Sequence, residues 1–289
     1  MRRARTVLAA ALLAGATVAG VSLVLAGSRP MPVASAPAAS GDGQCQGSAG
    51  ADAGAKVVIG PVKYINRDIT VRNVVFDGRH EDDLVRVYGG HVVFIDVTFL
   101  GEGTSSSGHS LEVKRGGSVE VYNSNWAGAP AEDSVQFAGH DDSLIKCSVF
   151  AATPGEDHID IKPSDGAVLD IIGNEFRTSV PGAGVQNKGA GGTQNFIGNT
   201  ITADSVFYER GSGVIKDNTM ARLDIYGAHE LSVTGNTVGY IKHGEWGSDR
   251  VPVDVTYRRN RVGEFEFNGG TCAASDNTGA ADFQPCGST

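Results

Sequence analysis

The chain has 289 residues, 40% hydrophobic and 20% charged, which is enough apolar material for a sizeable core and excludes wholesale disorder. Glycine stands at 40 residues, about twice the usual share, while proline stands at 10 and no Gly-X-Y period is present, which excludes collagen. The net charge of −9 argues against nucleic-acid binding and against a basic membrane-surface role.

The chain begins with a basic stretch, Met1-Arg2-Arg3-Ala4-Arg5, followed by an apolar run from Thr6 to Gly27 and by Ala34-Ser35-Ala36. A positive start, an apolar centre and small residues at a cleavage position predict a signal peptide over 1–36, and hence a secreted, extracellular protein with no membrane attachment. The run approaches the roughly 20 residues that cross a bilayer, so an uncleaved anchor is the alternative. Without residues 1–36 the chain carries 20 basic and 33 acidic residues, a net charge of −13. Four cysteines follow: Cys45, Cys147, Cys272 and Cys286. Export permits disulfides. Cys272 and Cys286 close a short loop and are expected to pair, which leaves Cys45 and Cys147 by elimination.

Residues 37–60 are rich in Gly and Ala and are expected to form an N-terminal cap; 61–264 carry a repeat; 265–289 are expected to cap the C-terminal end. The repeat is an apolar–turn–apolar phrase. Its turn position is occupied in order by Val97, Ser124, Ser148, Asn174, Asn199, Asn218, Asn236 and Asn260, with steps of 27, 24, 26, 25, 19, 18 and 24 residues. The residue before each is Asp96, Asn123, Cys147, Gly173, Gly198, Asp217, Gly235 or Arg259. Gly, Asn and Asp tolerate a left-handed backbone, so each phrase reads as two short strands joined by a sharp bend, with five successive Asn able to stack. Earlier in most coils comes another short strand with period-two alternation, such as Leu84-Val85-Arg86-Val87 or Ile159-Asp160-Ile161. Short strands recurring at this interval predict a solenoid: a right-handed parallel β-helix of about 8–10 coils with an Asn ladder. A β-sandwich is the alternative, but its hairpins do not repeat one Asn phase.

A β-helix core is apolar, so chemistry belongs on an outward face. The outward strand positions align as Arg86, Glu112, Gln136, Asp160, Gln186 and Asp224; two residues later come Tyr88, Lys114, Ala138, Lys162 and Lys188, with Glu209 or Arg210 next. Before the strands stand Asp82-Asp83, Gly108-His109, Glu132-Asp133 and Glu156-Asp157. Neighbouring coils lie about 4.8 Å apart. Glu132, Asp133, Glu156, Asp157 and Asp160 are therefore expected in one patch, where mutual repulsion is relieved by a cation or a raised pKa. Several carboxylates on a rigid scaffold suit Ca²⁺; a solvated acidic edge is the alternative. Lys162 and Lys188 fall on successive coils, where two ammonium groups depress each other's pKa and favour a neutral amine able to act as a base; solvated, salt-bridged lysines are the alternative. His158 lies between the acidic pair and Lys162 and is a further catalytic candidate. Gln136, Gln186, Arg210 and Arg222 are candidates for substrate contact, the two arginines for a carboxylate.

The coil period, the Asn run from Asn174 to Asn260 and the phrase from Glu156 to Lys162 resemble the pectate-lyase-like superfamily of right-handed parallel β-helix proteins over residues 60–265. Polysaccharide lyases in that group are the most similar. The resemblance implies a monomer acting on an acidic, uronate-containing polysaccharide of pectate or alginate type by Ca²⁺-assisted β-elimination. It implies Lys162 as the base, Lys188 as a charge stabiliser or substitute base, and the five carboxylates as Ca²⁺ ligands. Related families place Arg where this chain has Lys188. A glycoside hydrolase on the same fold and a non-catalytic carbohydrate-binding β-helix are the other classes the resemblance admits.

Overall fold

The computed structural model describes Cys45 and residues 49–78, 83–101, 108–188, 191–244, 252–279 and 281–288. The leader over 1–36 and Asp82 lie outside the described residues. The described chain is all β and winds as a right-handed parallel β-helix. Every pairing between its strands is parallel, and each coil contributes to three columns: sheet A; sheet B, which includes 69–72, 92–95, 119–122, Ser143–Lys146 and Val168–Ile172; and sheet C, which includes 74–77, 97–100, Asn125–Trp126, Val149–Phe150 and Glu175–Phe176.

Sheet A holds ten strands or strand segments in register. It begins at Val62–Ile65 and passes through Val85–Leu100, Leu111–Tyr122, Val135–Ala138, Ile159–Ile161, Val185–Asn187, Thr200–Tyr208, Thr219–Ile225 and Thr237–His243 to Arg261–Phe267. Inward residues of this column, such as Val87, Val113, Phe137, Ile161, Ile225 and Ile241, are wholly or nearly buried. The coils therefore supply one another's core, as a solenoid requires.

The bend between sheets B and C follows the phase read from the repeat. All eight residues before the ladder position have φ between 48° and 70°, from Asn123 to Gly235. The ladder itself is a chain of side-chain-to-backbone bonds. The Asn199 amide N–H donates to Asn218 Oδ1 at 2.8 Å, and Asn199 Nδ2 donates to Ile171 O at 2.8 Å. The same bonding links Asn174, Asn199, Asn218, Asn236, Asn260 and Asn277. Asn277 extends the run by one coil beyond the sequence reading. At the other end, serine takes over: Ser148 Oγ accepts from the Ser124 N–H at 3.1 Å and Ser124 Oγ from the Val97 N–H at 3.2 Å. Each side chain satisfies a backbone donor that a sharp bend would otherwise leave unpaired in the interior.

Beside the ladder, the inward residues of sheet C form a column of stacked rings. Phe76–Phe99, Phe99–Trp126, Trp126–Phe150 and Phe150–Phe176 have centroid separations of 5.7, 5.1, 4.3 and 4.4 Å. That spacing follows the coil repeat.

Both expected cysteine pairs are present, Cys45–Cys147 and Cys272–Cys286. The first shows how the N-terminal segment runs. From Cys147 it descends along the corner between sheets B and C. The Gly50 N–H donates to Asn123 O, the Ala51 N–H to Thr98 Oγ1 and the Asp52 N–H to Asn73 Oδ1, each on the next coil down. Cap boundaries differ from those read off composition. Lys56–Ile59 is already a strand paired with 74–77, and Cys272–Ser275 pairs in register with Val255–Arg258. The solenoid thus takes in part of both segments that composition assigned to caps.

Candidate functional site

The outward face of sheet A brings together most of the predicted groups. Register aligns Arg86, Glu112, Gln136, Asp160 and Gln186, then Phe207, Asp224, Lys242 and Glu266. Phe207 was missed because Val206-Phe207-Tyr208 shows no polar–apolar alternation. In the second column Lys188 is followed by Glu209, whose N–H donates to Asn187 O, so Arg210 falls one residue further on. The row before the strands reads Asp83, His109, Asp133, Asp157 and Ala183, linked through Leu84 N–H to His109 O, Ser110 N–H to Asp133 O, Ser134 N–H to Asp157 O and His158 N–H to Ala183 O.

Asp133, Glu156 and Asp157 each offer an oxygen, and these atoms lie within 4.8 Å of one another. Asp133 is fully buried. Its Oδ1 accepts from the Asp157 N–H at 3.1 Å, while its buried Oδ2 stands 3.3 Å from His109 Nδ1. Asp157 accepts from the Ala183 N–H at 2.6 Å. Burial, followed by repulsion from Asp133 and Asp160, outweighs that bond and Lys188, and pushes the Asp157 carboxyl up to about 7. An all-oxygen cluster in which two of the three carboxylates are buried fits a hard divalent cation such as Ca²⁺. The other two predicted ligands serve different partners. Glu132 faces His109 Nε2 at 3.5 Å. Asp160 is buried and paired with Lys162 through Oδ2 and with Lys188 through Oδ1, the latter at 3.5 Å. A second group with metal-ligand spacing, Asp83, His109 and Glu112, already contains the Arg86 guanidinium, paired with Asp83 and 3.5 Å from Glu112.

The lysine electrostatics correct the sequence reading. Lys162 was expected to be depressed by Lys188. Burial does oppose its charge, but the hydrogen bond that it donates to Asp160 and the charges of Asp160 and Asp133 outweigh it, and Lys162 lies above the ordinary lysine value. A carboxylate between two ammonium groups turns their repulsion into a shared ion pair.

His158 is a second correction. Its place in the phrase from Glu156 to Lys162 put it near the outward face, yet the strand begins only at Ile159, and the corner before it turns His158 inside. It is fully buried, with Nε2 2.9 Å from Thr178 O and its ring edge-on to Phe150 and Phe176 at 5.7 and 5.6 Å. It belongs to the core and does not reach the acidic patch. His109, from the row before the strands, takes the position beside the cluster. Burial lowers its basicity, but the hydrogen bond and charge of Asp133, with Asp83 and Glu132, raise it overall.

Of the substrate-contact candidates, Gln136 lies between Glu112 and Asp160 and is largely buried. Gln186 donates to Glu209 Oε1 at 2.8 Å. The Arg222 guanidinium is held by both oxygens of Asp224, at 2.7 and 3.0 Å, and stacks over Tyr240 at 5.0 Å, four coils along from Gln136. Arg210 is exposed beyond the outward column.

The Asp157 shift has a measurable consequence. A carboxyl protonated more readily when folded than when unfolded binds the extra proton between about pH 4 and pH 7, so stability falls as pH rises through that window. The expected loss is on the order of a few kcal/mol. In chelator-treated protein, thermal melting should fall over this range, and Asp157→Asn should flatten the profile. A melting temperature that rises across the window in wild type would contradict the assignment. Comparison with protein-family models, curated proteins and solved structures finds no match.

Proposed function

We propose that this chain is an exported lyase of the pectate-lyase-like kind that cleaves a uronate-containing polysaccharide by β-elimination. The observation that carries the reading is the placement of Lys162 and Lys188 on the outward face of sheet A, one coil apart and within the field of the buried Asp133 and Asp157 carboxylates. Asp133, Glu156 and Asp157 would hold Ca²⁺, which supplies charge stabilisation at the uronate carboxylate.

The chain's own groups carry the proton chemistry. Lys162 Nζ takes the proton from C5, the C4–O bond breaks to form a C4–C5 double bond, and the departing oxygen acquires a proton from solvent. Lys188 lends positive charge beside the carbanion that develops. Lys162 must first lose its own proton. Neutralising Asp133 removes one of the charges that hold Lys162 above its ordinary value, so occupation of the cluster favours the basic form.

One observation favours a non-catalytic carbohydrate-binding role instead: Asp160 keeps Lys162 charged in the free protein. An assay of pectate, alginate and glycosaminoglycans separates the readings. Elimination yields an unsaturated uronide with new ultraviolet absorbance, abolished by chelator and restored by Ca²⁺. Reducing ends without that absorbance would mean hydrolysis, and saturable binding without products would mean a binding module; either result removes the lyase assignment.

A further inference from the structure

We propose that the outward face where sheet B begins carries a second, separate site: a serine–histidine–glutamate relay in which Ser118 is the nucleophile for hydrolysis of a short-chain carboxylic ester. His91 pairs in register with Ser118 on the next coil, and Val93 pairs with Glu120 two residues further on. Val92 and Val119 are buried, so alternation sends His91, Ser118 and Glu120 outward together. His91 Nδ1 lies 2.7 Å from Ser118 Oγ, and its Nε2 faces Glu120 Oε1 at 3.3 Å. All three residues are part-exposed.

The roles follow from donor and acceptor chemistry. An ionised carboxylate only accepts, so Glu120 favours the hydrogen on Nε2 and leaves the Nδ1 lone pair to accept from the Ser118 hydroxyl. The relay is held from both sides: Tyr122 O–H donates to Glu120 Oε2 at 2.6 Å, and the His91 N–H donates to Asp68 Oδ1 at 2.9 Å. Ser143 and Ser148 spend their hydroxyls on the backbone, donating to Asp141 O and Lys146 O, whereas Ser118 meets an imidazole. A hydroxyl within hydrogen-bond reach of a base, with the base oriented by a third group, is the arrangement that activates a serine.

Val93 and Leu144 stand on either side of Glu120 in register and are part-exposed. They offer a small apolar surface for a methyl group, while an open sheet face gives a longer acyl chain nothing to enter and leaves room for a large alcohol. The fitting substrate is therefore an acetyl-sized ester of a bulky alcohol. Ser118 Oγ bonds to the acyl carbon as its proton passes to His91 Nδ1. The bond from that carbon to the alcohol oxygen breaks, and the alcohol leaves with the proton. Water then gives a proton to Nδ1 and its oxygen to the acyl carbon, and Ser118 Oγ departs and regains the proton. The products are one carboxylic acid and one alcohol. This site lies on a different sheet from Lys162 and does not rest on the lyase reading.

The test uses the full chain, with p-nitrophenyl acetate as substrate and a fluorophosphonate as label. Wild type should turn the ester over with saturation. Ser118→Ala and His91→Ala should each lower kcat/KM by about 10²-fold, the lower end of what a positioned base supplies, without altering circular dichroism. Glu120 is a positioning residue, so Glu120→Gln should lower kcat and leave KM unchanged. The fluorophosphonate should add to Ser118, read from the mass of its peptide, and should not add in His91→Ala. Should a variant fail to fold, the label on wild type decides. Undiminished turnover in Ser118→Ala overturns the proposal, since His91 would then attack the ester by itself. Wild type that leaves Ser118 unlabelled overturns it as well, and so does a Glu120→Gln variant with undiminished kcat.

Discussion

Replacing Lys162 with alanine is expected to lower the rate of uronide formation by roughly 10²–10⁴-fold, the usual worth of a positioned general base. Stability should change little, because the buried Asp160 keeps Lys188 as a partner at 3.5 Å. Lys162→Arg is the informative companion. It keeps the charge and much of the reach but does not deprotonate at working pH. If Lys162 only neutralises Asp160 or attracts the polymer, arginine should preserve most of the activity; if it accepts the proton, arginine should be nearly as inactive as alanine. The pH profile adds a further readout. The base must work deprotonated although Asp160 and Asp133 hold it above the ordinary lysine value, so activity should climb with pH on the alkaline side. Full activity in Lys162→Ala would remove the mechanism.

Trp126→Ala is expected to destabilise the fold by about 3–5 kcal/mol, the cost of emptying a large aromatic site in a packed core. Trp126 is fully buried and sits in the middle of the ring column, 5.1 Å from Phe99 and 4.3 Å from Phe150. Its loss breaks two stacking contacts and leaves a void between coils that the rigid ladder beside it prevents from closing. Trp126→Phe should be far milder. It matches the neighbouring rings, and the indole Nε1–H it removes has no hydrogen-bond partner among the described residues. Thermal melting of the two variants checks the pair: equal losses would show that ring stacking does not carry the effect. The column lies in sheet C, away from the outward face of sheet A, so residual activity below the melting point should match wild type.

Much of the architecture was legible because it is written in short-range rules. A left-handed residue before each ladder position is a local demand on φ, and Gly, Asn and Asp meet it at Gly173, Asn123 and Asp217. Asn at a constant phase then reports stacking directly. The route of the N-terminal segment was not legible. No pattern in the sequence says that Cys45 and residues 50–52 meet four coils in turn, since their partners Cys147, Asn123, Thr98 and Asn73 are spread across the repeat. Serine at the start of the ladder was placed correctly by phase, although the bond that it makes depends on a neighbour one coil away.

The candidate site divides in the same way. Coil spacing and alternation brought Asp133, Glu156 and Asp157 together and put Lys162 and Lys188 on the same face. They did not extend to His158, whose nearness in sequence to Asp157 and Lys162 did not keep it on that face, since it lies just before the strand Ile159–Ile161 and is buried.

By itself, then, the sequence determined the coil, its phase, its bends and which positions face outward, because each of these is set by a residue and its immediate neighbours. Only the tertiary structure decided the charge state of Lys162, the interior position of His158 and the burial of Asp133 beside His109. Those properties depend on burial and on side chains contributed by other coils. An amino-acid string carries no measure of burial, and its spacing does not say which of two nearby charges an ammonium group will meet first.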